Sequence, residues 1–494
     1  MSKSRRAGLL AAICTAGLIV GAGTPVFAES LADAIALAYQ TNPTLREQRA
    51  NLRALDESVV QARAGYRPEV GLSAGYTSQY QKYGTPQGNV LTGFSDDYRG
   101  SSTSAALTIN QPLYTGGQVR SQISAAQADI ETGRQNLRTV ESSILTQVIQ
   151  AYVDVRRDIE ALRIADDNVA VLRRQLDEAK ARFEVGEITR TDVAQAEARL
   201  AASISQQASA RAQLAISRAN YAAVVGQNPG DLEEEPSLAG LLPGTVDDAF
   251  ALAEVNNPGL LAADFAEQAS RARVAQAKSA TRPTVSLQGR LGASGSAQNS
   301  NDPFQDYDQS VSGTVNVSVP LFTGGQISSS IRQAQERNNA DAAAIEGARR
   351  TALQDVARAW NQLLGARASL TANEEQVRAA RIAFEGVRQE AQVGLRTTLD
   401  VLNAQQELRS AELSLINARR DEYLASALVL AAIGRLEARY LTPEATLYDP
   451  AVPAAKVYRS FGWVPWEPVI GAVDHVLAPA IGPAPEEAVK TANK

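Results

Sequence analysis

The sequence predicts an internally duplicated α+β membrane protein in which long coiled-coil helices alternate with pairs of strands of bilayer length. Three observations lead there. Short motifs recur roughly 210 residues apart, apolar residues repeat every seven positions through most of each half, and alternating segments of about ten residues lie between the helices.

The chain opens with Lys3, Arg5 and Arg6, an apolar run from Ala7 to Gly23, and Val26-Phe27-Ala28 with the small-residue ending of a cleavage site. Residues 1–28 therefore read as a signal peptide. Gly17, Gly21 and Gly23 break the run and no stop-transfer charges follow, which disfavours a retained anchor. Cys14 follows bulky Ile13, where a lipoprotein signal carries a small residue, so it is expected to leave with the leader. The rest has no cysteine and must be held by packing or assembly. Losing the leader shifts the net charge from −6 to −9, since it carries three basic and no acidic residues. That acidic balance argues against a nucleic-acid partner, whose phosphates demand basic patches. With 5% aromatic residues, the chain suits long helices packed side by side better than one compact globule.

The duplication sets the domain limits. Asn42-Pro43 recurs as Asn257-Pro258 and Arg67-Pro68 as Arg282-Pro283, both 215 residues on. PLYTGG from Pro112 recurs as PLFTGG from Pro320, displaced by 208, and the same displacement relates Val185-Gly186 to Val393-Gly394 and Asp192 to Asp400. The first repeat is read as 29–227 and the second as 246–435, joined by a Pro-, Gly- and acid-rich linker at 228–245 and followed by a periplasmic tail at 436–494.

Periodicity assigns the pieces. Ile123, Ile130, Leu137 and Ile144 recur every seven residues, a four-residue stutter leads to Val148, and Val155, Leu162, Val169, Leu176 and Phe183 resume the seven. Ile331, Ile345, Val356, Leu363, Leu370, Val377 and Phe384 repeat the pattern. Each half thus predicts a helix of about 68 residues, on the order of 100 Å long, followed by one of about 37 and preceded by one of about 24. The two shorter helices, end to end, match the long one.

The strands have period two. Val70, Leu72, Ala74 and Tyr76 alternate with small or polar residues, as do Val311, Val315, Val317 and Val319. Partners are expected near 102–111 and 284–293, with polar connections at 81–101 and 294–310. The transitions are marked by Pro68 and Pro283 before the first strand of each pair, and by Pro112, Gly116 and Gly117, or Pro320, Gly324 and Gly325, after the second. Four strands cannot close a barrel in lipid without exposing unsatisfied backbone, so several chains must share one.

The paired PLYTGG and PLFTGG, RFEVGEITRTDV from Arg182 and VGLRTTLDVLNAQ from Val393 resemble the TolC family of outer-membrane factors from about Leu31 to Leu436. The resemblance implies an outer-membrane homotrimer whose strands form one β-barrel and whose helices form a periplasmic tunnel. It also implies partners: a periplasmic adaptor and an inner-membrane ABC or proton-driven transporter docked at the lower end. Carried over by position, Val185, Gly186, Val393 and Gly394 are adaptor-docking tips. Asp400 matches an entrance aspartate, and Asn403 replaces a second ring of acids. Arg396 matches a latch arginine reaching the neighbouring outer hairpin at Thr191 and Asp192, while Ala391 replaces the tyrosine of a second latch contact. Three converging Asp400 carboxylates would prefer cations and raise one another's pKa. An acid favoured by the helix dipole is the simpler reading of the same residue.

No enzyme, cofactor or metal site is expected. His475 is the only histidine and sits in the tail, without the partners that zinc or a triad requires. Gly116-Gly117 lacks the Lys-Ser or Lys-Thr of a phosphate loop. Heptads alone also fit a structural periplasmic coiled coil or adaptor, but such a protein has no need of the four alternating segments. Tail residues Tyr448, Tyr458, Trp463 and Trp466 are expected to pack round the outside, and the tail resembles that of family members serving type I protein secretion. Small-molecule efflux is the alternative cargo, and the chain beyond Ala478 is expected to be disordered.

Overall fold

The computed structural model describes residues 29–82, 97–298, 307–442, 447–460, 464–476 and 478–481. The readings of the leader, of Trp463 and of the chain end beyond Ile481 lie outside the described residues. The first repeat comprises α1 (Leu31–Thr41), α2 (Pro43–Ala64), β1 (Glu69–Lys82), β2 (Asp97–Tyr114), α3 (Gln118–Glu184) and α4 (Arg190–Val225). The second comprises α5 (Val246–Asn256), α6 (Pro258–Ser279), β3 (Thr284–Gln298), β4 (Asp308–Ser318), α7 (Gln326–Gln392) and α8 (Thr398–Ala432). The tail adds α9 (Ala438–Leu441), α10 (Ala451–Ser460) and α11 (Glu467–Val476).

Both long helices are 67 residues, close to the length the heptads predict. The expected single helix before each strand pair is instead two, of 11 and 22 residues, broken at Asn42-Pro43 and at Asn257-Pro258. Proline cannot donate to the preceding turn and pushes its predecessor out of the helical region, here to ψ 125° at Asn42. The break also explains how the short helices stack. Asn42 Oδ1 accepts from the N–H groups of Thr44 and Leu45, opening α2, while its Nδ2 donates to Val224 O in the last turn of α4. Asn257 repeats the device, accepting from Leu260 N at 3.1 Å and donating to Ala432 O of α8 at 3.1 Å. One side chain thus caps the start of one helix and satisfies the end of another, joining them into a column beside the long helix.

The main core lies where α1, the middle of α3 and the last turns of α4 and α8 meet. Tyr152 and Tyr221 are wholly buried there with ring centroids 6.5 Å apart. The Tyr152 hydroxyl is within hydrogen-bond distance of Glu29 O (2.9 Å) and Glu233 O (2.8 Å), tying the residue before α1 to the segment between α4 and α5. Desolvation of its phenol pushes the pKa up to about 12.

The strands form one antiparallel sheet in the order β1-β2-β3-β4. At 14, 18, 15 and 11 residues they exceed the expected ten, because pairing continues into the polar connections as far as Lys82 opposite Asp97 and Gly100 opposite Gln298. Pro112 does not follow β2 as expected. It lies inside the strand, opposite Ser286, where the register with β3 shifts between Pro112 and Tyr114. Among the described residues β1 and β4 each pair on one side only, leaving two free edges. Among the described residues no helix is long and apolar enough to cross a membrane. The apolar residues Val70, Leu72, Val311 and Val315 stand exposed on the sheet instead.

Candidate functional site

Both helical hairpins turn by the same local chemistry. After Glu184 the chain passes through Val185 into Gly186 at φ +80°, a left-handed conformation that glycine adopts without Cβ strain. Gly186 N donates to Phe183 O and Glu187 N to Arg182 O, which closes the helix as a Schellman motif. Val393, Gly394 at φ +78° and Leu395 repeat it, with Leu395 N donating to Glu390 O at 2.9 Å. Val185 and Val393 are both 72% exposed, so each tip presents an apolar side chain to its surroundings.

The returning helices start on capping boxes. Thr189 caps α4, with Asp192 Oδ2 accepting from Thr189 N and Oγ1. Thr397 caps α8 in the same way with Asp400. Those hydroxyl and N–H donors hold both carboxyls below the usual carboxylate range. Within one chain Asp400 is therefore a helix-start acid. Converging carboxylates would require further copies, and their repulsion would oppose the hydrogen bonds from Thr397.

Arg396 pairs with Glu390 of its own hairpin at 2.8 Å, and that carboxylate raises the guanidinium pKa. Asn403 accepts from Arg199 Nη2 of α4 at 3.2 Å, while Thr191 is exposed in the first turn of α4. Ala391 lines a cavity of about 280 Å³ between the hairpins, with Phe384 and Val401 on one side and Arg174, Ala179 and Arg182 on the other. Sequence reasoning missed a buried polar seam just above it. Asn168 Nδ2 donates to Ser203 Oγ at 2.8 Å, and Gln405 Nε2 donates to Asn168 Oδ1 at 3.3 Å, linking α3, α4 and α8. Asn168 beside the heptad residue Val169 was the available signal, because a polar side chain at a helix seam needs a partner across it.

The strand-to-helix transitions keep the duplicated backbone. Gly116 and Gly117 have φ +68° and +87°, and Gly324 and Gly325 have +61° and +87°. Pro68 and Pro283 each stand one residue before the strand they introduce, and Pro320 follows β4. No group of three metal-ligating side chains occurs among the described residues, and His475 falls in the last turn of α11.

The outer membrane efflux protein family model matches residues 34–227 and 250–435. The chain is 36% identical over 446 residues to the outer membrane efflux protein BepC of Brucella suis biovar 1, covering 89% of this chain and 92% of the relative. It is 30% identical to the outer membrane protein TolC of Vibrio cholerae, covering 83% and 92%. Other relatives bear names that point two ways: the alkaline protease secretion protein AprF of Pseudomonas aeruginosa at 28% identity, and the cobalt-zinc-cadmium resistance protein CzcC of Cupriavidus metallidurans at 27%. A membrane protein of P. aeruginosa shares the fold at a TM-score of 0.70 and 21% identity, over 82% of this chain and 90% of that one.

Proposed function

This chain belongs to the outer membrane efflux protein family, and we propose that it is the exit duct of a type I protein secretion system. It is an outer-membrane channel protein of the TolC kind, not an enzyme. The observation that carries the duct is the pair of free edges on a four-stranded sheet above helices of 67 residues. Unpaired edges in lipid cost several kcal/mol for each unsatisfied group, so copies of the chain close one barrel and their helices extend its wall. We read the ring as a homotrimer. A periplasmic adaptor and an inner-membrane transporter, ABC or proton-driven, meet it at the tips around Val185-Gly186 and Val393-Gly394. Asp400 lines the entrance in this reading, and Arg396 exchanges Glu390 for Thr191 and Asp192 of the neighbouring hairpin when the entrance closes.

The division into repeats 29–227 and 246–435 is supported by the two segments that the family model matches. Protein cargo is supported by the relative named for alkaline protease secretion and by the tail beyond residue 436. Small-molecule efflux is the second reading, favoured by the name of the relative at 36% identity. Culture-medium proteins and dye accumulation, compared with and without the gene in the same cells, separate the two. Loss of one or a few large secreted proteins supports protein export. An unchanged medium with higher dye retention overturns it in favour of efflux.

A further inference from the structure

The two strand bases are written alike and covered differently. Around the first base, Thr115 is 9% exposed and two structures close over it. On one side lies the α6–β3 junction, where a methyl carbon added at Gly116 would come within 2.9 Å of Arg282 Cβ. On the other lies the tail. Asp474 of α11, wholly buried, accepts from Thr115 N at 2.8 Å, Gly117 N at 3.0 Å and Tyr66 OH at 3.1 Å. It serves as the cap that Gly117 cannot provide for α3. At the second base Leu321 and Phe322 are 93% and 91% exposed, and among the described residues nothing lies within 4 Å of where a Cβ would stand on Gly324 or Gly325.

Repeat equivalence says what belongs there. Gly116 corresponds to Gly324, and Arg282-Pro283 corresponds to Arg67-Pro68. The first base packs on the Arg282-Pro283 junction of the repeat that follows it. In a closed ring the repeat that follows the second base is the first repeat of another copy, so Gly324 meets that copy's Arg67-Pro68. Strand order agrees, because the free edge of β4 joins a free β1 edge antiparallel and brings the end of β4 beside the start of β1. That junction carries α11: Arg67 pairs with Glu467 at 3.3 Å and Tyr66 bonds Asp474. While Ile470 and Asp474 are buried, Trp466, Val469 and Val473 remain 45%, 63% and 49% exposed, at the spacing of a single helix face.

We propose that α11 is an intersubunit clasp, whose outer face at Trp466 and Val469 receives Leu321 and Phe322 of a second copy of this chain. The clasp rests on the shared-barrel reading. It gives the tail a role the duct itself does not require: sealing the one strand base that a single chain leaves bare, just below the barrel, where apolar side chains would otherwise face water or headgroups.

Site-directed cross-linking tests it. In a Cys14→Ser background the chain has no other cysteine, so Phe322→Cys combined with Val469→Cys, or with Trp466→Cys, is treated in outer-membrane preparations with a short bis-maleimide. The expected result is loss of the monomer band to covalent dimers and trimers in the double variants and not in the single ones. Light scattering of the untreated protein in detergent separates the two ways of failing. An oligomer that yields no intersubunit link, while the thiol introduced by Phe322→Cys is freely labelled, overturns the clasp and leaves that face to lipid. A monomer overturns the clasp and the shared barrel together.

Discussion

The helices α3 and α7 have the same length and heptad phase, yet α3 buries twenty-three residues and α7 six. The first is flanked by α2 and α4 and also meets α6 and α8, whereas α7 packs on α5, α6 and α8 and keeps an open flank. Individual positions show the same divergence. Ile130 packs against Val59, Ala62 and Ala126, while its counterpart Asn338 reaches Glu267 and Ser270 by hydrogen bonds. Tyr152 is wholly buried, while its counterpart Trp360 is only partly covered. A duplicated sequence therefore does not give a duplicated environment. The first repeat has the second beside it to cover its far flank, while α7 of the second repeat has no such neighbour among the described residues of the chain.

The largest expected effect tests this contrast directly. Tyr152→Ala removes a fully buried ring and a hydroxyl that holds Glu29 and Glu233 together, costing about 3–5 kcal/mol, with a smaller loss for Trp360→Ala. Denaturant unfolding of the purified protein measures both. Equal losses would mean that assembly buries Trp360 as completely as Tyr152, and would erase the contrast in the oligomer.

The next effect contrasts the two hairpins. Asp400→Asn keeps an acceptor for Thr397 N while removing the charge, so helix content should hold while the pore loses its cation preference in bilayer recordings. Asp400→Ala should lose the same preference and also the capping box, so that the first turn of α8 exchanges its amide hydrogens faster than in Asp400→Asn. Unchanged selectivity in both variants would return Asp400 to a purely structural role. The corresponding Asp192→Asn in the outer hairpin should leave selectivity alone.

The smallest effect is a difference in pH dependence. Hydrogen bonds lower the folded pKa of both Asp192 and Asp400 below the unfolded value. Their contribution is thus present above the unfolded pKa and is lost as pH falls through the folded one. Only Asp400 would feel converging copies, whose repulsion moves its pKa back up. Hydrogen exchange should therefore show the first turn of α8 fraying at a higher pH than that of α4. A shared midpoint would argue against an acidic ring.

Much of the fold was legible because it is periodic. Heptads marked α3 and α7, alternation marked β1 and β4, and the Gly of each tip marked a turn that only a residue without a Cβ makes cheaply. The break at Asn42-Pro43 was visible as a repeated motif, but its meaning was not, since the carbonyl it satisfies lies 182 residues away. Strand length was underestimated because hydrogen bonding does not stop at the apolar boundary that the pattern marks. Asn168 stood out beside Val169, but its partner Gln405, like the pairing of Arg199 with Asn403, was not legible for the same reason as the Asn42 contact: polar partners across a helix seam leave no local period.

By itself the sequence determined the long helices, the places of the strands, the duplication and the need for more than one chain, because each rests on periodicity or on the cost of unpaired backbone in lipid. Tertiary structure alone decided that one asparagine joins two helices into a column, that the tail reaches back through Asp474 to cap α3, and that the two strand bases differ. Those outcomes depend on which groups meet across hundreds of residues. Such meetings follow from packing, which a one-dimensional pattern does not encode.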